Sequence, residues 1–237
     1  MSDEGRFVMN NDSTSVDYFE GQKRLCEEYN VDFKTVEELN STLASQLDEV
    51  VRECAEKILE VSVNVSRNMG YWEEIWKLSA SPAVNLTPKQ KSLQELFLYL
   101  VLSEGIFSEI IQAIAFILME NHHDIYNPER MKFVENYEEL DKIPLFVKLQ
   151  FLKKHEFKFV ADAIDKKLRN SIAHLSFIVN DDGSIVDRRT GKITKDLREK
   201  TNYLGCVCAL TIRAIGGTLQ NATSRLGIKT RLKERKP

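Results

Sequence analysis

The chain has 237 residues, 43% of them hydrophobic and 29% charged, with a formal net charge of −3. Ten Gly and five Pro exclude collagen-like and Pro-rich disordered classes, and the apolar share can fill one large core. Residues 1–60 hold 15 acidic and 6 basic residues and the remainder 21 and 27, so a polyanion-binding surface is expected in the later part.

Residues 1–13 are polar and read as loose. A short amphipathic helix follows, with Val16, Phe19, Leu25 and Tyr29 near one side. Thr35 then caps a long helix, and Glu38 completes a capping box. Leu39, Leu43, Leu47, Val51, Cys54, Ile58, Val61 and Val65 recur at helical steps to about Met69, where Gly70 ends or bends the helix. Tyr71, Trp72 and Trp76 cluster before Pro82. They read as packing against the long helix in preference to a stacking platform for bases.

Thr87-Pro88-Lys89-Gln90 is a helix start: an N-cap, Pro at the first position and Gln at the third. Residues 93–119 are long and apolar enough to span a bilayer. Glu104 and Glu109 near the middle would be costly in lipid, so the segment reads as the buried central helix of a bundle, with no membrane involved. Residues 121–136 are polar, contain Pro128 and read as a loop. Pro144 opens a helix through Leu152, and Glu156 to about His174 continues helically after a break near His155. Two short strands then flank the Asp182-Gly183 turn, and Lys192-Ile193-Thr194 adds a third after Thr190-Gly191. Asp196 to about Leu226 returns to helix, with Gly216-Gly217 weakening it locally or letting another helix approach. The chain divides into an N-terminal helical extension (1–85), a helical domain (86–226) and a basic tail (227–237).

The chemistry narrows by elimination. Cys26, Cys54, Cys206 and Cys208 have no zinc spacing and read as buried, unreactive thiols. Thr190-Gly191-Lys192 echoes the end of a P-loop, but Ile193 stands where a magnesium-binding hydroxyl belongs. His122-His123-Asp124 has no partner His at a helical step and reads as a solvated loop, and His155 as a helix C-terminal residue. The first 20 residues carry five acids and no apolar run, which reads as a cytoplasmic protein with reduced thiols.

One stretch remains: Arg169-Asn170-Ser171-Ile172-Ala173-His174. Asn170 and His174 share a helix face, and Arg169 is long enough to curve toward it. The grouping of guanidinium, amide and imidazole is either a polar site or a helix end whose cations suit the dipole. Glu104, in the most apolar helix, is a candidate partner for Arg169, because an unpaired carboxylate there is costly; the alternative is that it reaches solvent or caps another group. Arg188 and Arg189 follow on the hairpin and are either candidate contacts for RNA phosphates or charges of a solvated hairpin.

These six residues match the R-x4-6-H motif of HEPN domains, in the R-N-x-x-x-H form, and residues 86–226 resemble that family in setting. The resemblance implies an all-α, HEPN-like helical bundle with a short β-hairpin after the motif helix, here preceded by a long N-terminal helix. It implies a metal-independent endoribonuclease, often a toxin or antiviral defence effector, with Arg169, Asn170 and His174 as catalytic residues. RNA is then the substrate, no cofactor or metal is needed, and the protein works as a homodimer with two motifs facing one cleft. An antitoxin or regulatory protein is a further partner of such enzymes. The alternative within the family is a non-catalytic module that binds a nucleotide, RNA or protein through the same polar group. A third reading is a helical interaction protein using the acidic long helix.

Overall fold

The computed structural model describes residues 15–80, 85–194 and 196–227. Residues 1–13, Pro82, the tail from residue 228 and the side chains of Val16 and Phe19 lie outside the described part.

Helix α1 spans Ser15–Tyr29 and α2 spans Phe33–Ala80. The start of α2 lies ahead of Thr35, because Asp32 takes the capping role. Its Oδ1 accepts from the Lys34 amide at 3.1 Å, and its carbonyl accepts from the Thr35 amide at 3.1 Å. Glu38 faces Lys34 at 3.8 Å, an exposed pair one turn apart. Gly70 does not end α2, which runs on to Ala80. The apolar stripe continues past it in Trp72, which is buried and donates from Nε1 to the Leu98 carbonyl at 3.1 Å. Trp76 stacks on Trp72 at 5.6 Å, and the Arg198 guanidinium lies 5.2 Å over the Trp76 ring. Tyr71 stays exposed.

Helix α3 (Pro88–Leu100) opens with the full capping box. Thr87 Oγ1 accepts from the Gln90 amide at 3.3 Å, and Gln90 Oε1 accepts from the Thr87 amide at 2.9 Å. The chain passes through a π-helical stretch, Val101–Phe107, into α4, Ser108–Glu120. Every residue from Ile110 to Leu118 is buried and all but Gln112 are apolar, so α4 forms the middle of the bundle between α2, α6 and α9.

Residues 121–136 are not a plain loop. Strands β1 (Tyr126–Asn127) and β2 (Lys132–Phe133) pair antiparallel with Tyr126 opposite Phe133. Asn127 Oδ1 closes their turn by accepting from the amides of Glu129 and Arg130, at 3.0 and 3.3 Å. Short α5 (Tyr137–Asp141) leads to α6, Leu145–Lys154. His155 caps α6, and Glu156 at φ 68° turns the chain. The stretch from Glu156 to His174 is two short helices, α7 (Lys158–Asp162) and α8 (Lys166–Ala173), because Asp165 caps a new start.

Strands β3 (Phe177–Val179), β4 (Ile185–Asp187) and β5 (Ile193–Thr194) form an antiparallel sheet in that order. Helix α9, Leu197–Leu226, then runs along α2, with Gly216 buried inside it. The molecule is predominantly helical. One apolar core draws on α2, α3, α4, α6, α7, α8 and α9. A smaller cluster of Cys26, Val36, Cys206 and Leu210 seats α1 on α9.

Candidate active site

Helix α8 is too short to hold its place by propensity, so its ends are tied. Asp165 Oδ1 accepts from the Lys167 and Leu168 amides at 3.1 and 3.0 Å, and Oδ2 meets the Lys200 ammonium of α9 at 2.7 Å. The Asp165 amide donates to the Tyr99 hydroxyl of α3 at 3.1 Å. Burial would raise the Asp165 pKa, but the Lys200 ammonium and the two amide donors prevail and hold it below the usual carboxylate range. On the inner face, Leu168 and Ile172 enter the core.

The C-terminal end is closed by the chain itself. The Leu175 amide donates to the Ile172 carbonyl at 3.0 Å and the Ser176 amide to the Ser171 carbonyl at 2.8 Å, with Leu175 at φ 49°. This is a Schellman closure with leucine where glycine is favoured. The turn leaves His174 and Leu175 exposed at the tip.

The outer face of α8 carries the polar group. Arg169 Nη1 donates to Asn170 Oδ1 at 2.9 Å. Arg169 Nε and Nη2 both reach the Glu104 carboxylate, the latter at 2.7 Å from Oε2, in a two-pronged pair. Glu104 sits in the π-helical stretch, a geometry that often marks functional positions. The pair is only partly covered, at 26% exposure for the Arg169 side chain and 38% for Glu104. Arg169, Asn170 and Glu104 are thus brought together over 65 residues of sequence. The His174 imidazole has no hydrogen bond to them, and its ring is open to solvent. Arg188 lies beside this end of α8, its amide donating to the Ser176 carbonyl at 2.9 Å, and both Arg188 and Arg189 point side chains into solvent. Asp187 organises that turn by accepting from the amides of Arg189 and Thr190, at 2.9 and 2.8 Å.

The Arg169 fork can hold a phosphate on the outer face of the helix that His174 ends. Arg169 keeps donor capacity beyond its two partners, and its plane is fixed by the carboxylate behind it. No group of three or more metal-ligating side chains occurs among the described residues. The His122-His123-Asp124 segment is not wholly solvated. The His123 ring meets His155 at 4.3 Å between centroids, and His155 also packs on Phe151 at 4.7 Å. Burial, then His123 and Lys154, lower the His155 pKa. The two histidines come from different helix ends, and no spacing in the sequence signals their meeting.

No protein-family model matches the chain, and no curated protein or solved structure is significantly similar to it.

Proposed function

We propose that this protein is a metal-independent endoribonuclease of the HEPN type, acting as a homodimer. The observation that carries the reading is a guanidinium held rigidly by Glu104 and Asn170 on the same short helix that ends in an open imidazole. RNA brings its own nucleophile, the 2′-OH beside each phosphodiester. A base takes that proton, the 2′-oxygen attacks phosphorus, and an acid returns a proton to the leaving 5′-oxygen. Imidazole suits either role near neutral pH. The Arg169 fork holds phosphate oxygens and balances the charge that grows in the transition state. Arg188 and Arg189 take the phosphates of the flanking strand.

One chain supplies one motif histidine, and a two-fold partner supplies the second. Support for that assembly comes from exposed apolar side chains around the motif. Phe97 is 54% exposed on α3, which packs against α8; Leu175 is 71% exposed in the turn that ends α8; Ile178 is 47% exposed on β3, which packs against α3. A toxin or antiviral defence role, with an antitoxin or regulatory protein as partner, fits an enzyme whose site is this open.

The test is incubation of the purified protein with mixed RNA in EDTA, alongside His174→Ala. Cleavage by the parent chain and none by the variant supports the enzyme. Tight RNA binding with no cleavage by either favours a binding module.

A further inference from the structure

Helices α1, α2 and α9 line an open cleft of about 610 Å³, within the size range of small-molecule sites. Arg169, Asn170 and His174 do not line it, so it stands apart from the cleavage site. Its floor is apolar and fixed. Trp72 is buried, is tied to the Leu98 carbonyl and is stacked on Trp76. Gly205 of α9 lies against it, where an added Cβ would come to 3.4 Å from the Trp72 ring.

Half-buried Tyr29 adds an aromatic wall from α1. Two half-buried groups of opposite charge, Glu73 and Arg213, reach the same space. Burial raises the Glu73 pKa against the pull of Lys77 and Arg213, so this carboxylate is short of water. Arg24 and Lys77 stand exposed at the mouth, with Glu20 and Glu28 beside them. Gly21 makes the arrangement possible. A Cβ there would meet Arg213 Nη1 at 2.0 Å, so the guanidinium crosses α1 over a glycine.

A lining that mixes cations and carboxylates over an aromatic floor does not suit a bare anion or a bare cation. It suits a planar head with hydrogen-bond donors and an anionic tail. We propose that the cavity binds a guanine nucleoside monophosphate, its base on the Trp72–Trp76 floor with its edge toward Glu73 and its phosphate against Arg24 and Arg213. The N1–H and N2–H₂ donors of guanine match the two oxygens of a carboxylate. Adenine presents an acceptor at N1, which a carboxylate repels. Arginine forks suit the phosphate.

Trp72 and Trp76 are the chain's 2 tryptophans, so intrinsic fluorescence reads this cavity alone. Titration of the full chain with GMP, excited at the red edge of tryptophan absorption and repeated by calorimetry, gives a saturable signal. AMP binds more weakly by about tenfold or more, the scale of charge-assisted hydrogen bonds. Glu73→Gln abolishes most of that preference. Gly21→Ala displaces Arg213 and weakens GMP by about tenfold, with helical circular dichroism unchanged. His174→Ala binds GMP like the parent, which separates this site from the cleavage reading. No saturable signal with millimolar GMP, equal affinity for AMP, or parent-like binding by both cavity variants would overturn the proposal.

Discussion

Glu104→Gln keeps the side-chain length and removes the charge, so Arg169 retains one carbonyl oxygen where two carboxylate oxygens held it. Both members of the pair are partly exposed, at 26% and 38%, so water screens them. The expected stability loss is that of a screened ion pair with good geometry, about 0.5–1 kcal/mol. In a chain of this size that lowers Tm by about 1–4 °C. Cleavage suffers more. The guanidinium must meet the phosphate with its fork aligned, and a loosened fork costs on the order of 10–10² in kcat. Arg169→Lys attacks the other end of the clamp: it keeps the charge and loses the fork, for a loss on the order of 10². If the two act as one unit, the double variant is little worse than Arg169→Lys alone. Thermal melting and single-turnover cleavage on the same preparations separate the effects. An unchanged rate and melt in Glu104→Gln, or a rate loss no larger than the unfolded fraction, would refute the idea that Glu104 positions Arg169.

Asp165→Ala removes the cap of α8 and costs about 1–2 kcal/mol, read by chemical denaturation. Because the folded Asp165 pKa lies below the usual value, its contribution is present above the ordinary aspartate range and is lost as pH falls through the folded value. The variant therefore sheds part of the chain's acid sensitivity in that window, and an identical acid profile would count against the ties to Lys200 and the amides. Leu175→Gly relieves a left-handed leucine that is 71% exposed, so stability should rise by about 1 kcal/mol, and a lower melting temperature would show that Leu175 packs on something. Burial pushes the Cys54 and Cys206 thiols up to about 12 and raises those of Cys26 and Cys208. A thiol reagent at neutral pH should modify none of the four until denaturant is added, and fast labelling of the native chain would contradict this burial.

Local signals explain which parts of the fold were legible in the sequence. Thr87 and Gln90 lie three residues apart and bond reciprocally, so the start of α3 can be read directly. Asp32 and Thr35 are both good caps three residues apart, and sequence alone does not say which wins. The aspartate's bond to the Lys34 amide settles it. Gly70 looks like a stop because glycine disfavours helix, yet burial of Trp72 against α3 overrides that local preference. The β1–β2 hairpin has two residues per strand, too few to show a period, and only the Asn127-Pro128 pair hints at its turn.

The site was legible in a different way. Arg169, Asn170 and His174 are close in sequence, so helical spacing brings them to attention. Glu104 drew attention through the cost of burying a lone carboxylate, whereas the structure leaves it 38% exposed on a π-helical stretch. The Glu104–Arg169 pair, the His123–His155 contact and the walls of the α1–α2–α9 cavity join distant segments, and no local spacing encodes them.

The most direct measurement of the central claim is the end chemistry of the products. A short RNA is cleaved by the parent chain in EDTA, and the same oligonucleotide is offered with a single 2′-deoxy sugar at the cut site. The account predicts 2′,3′-cyclic phosphate ends from the RNA and no cut at the deoxy position, because the nucleophile is gone. Cleavage of the deoxy substrate at a comparable rate, or products ending in 3′-OH and 5′-phosphate, would contradict it.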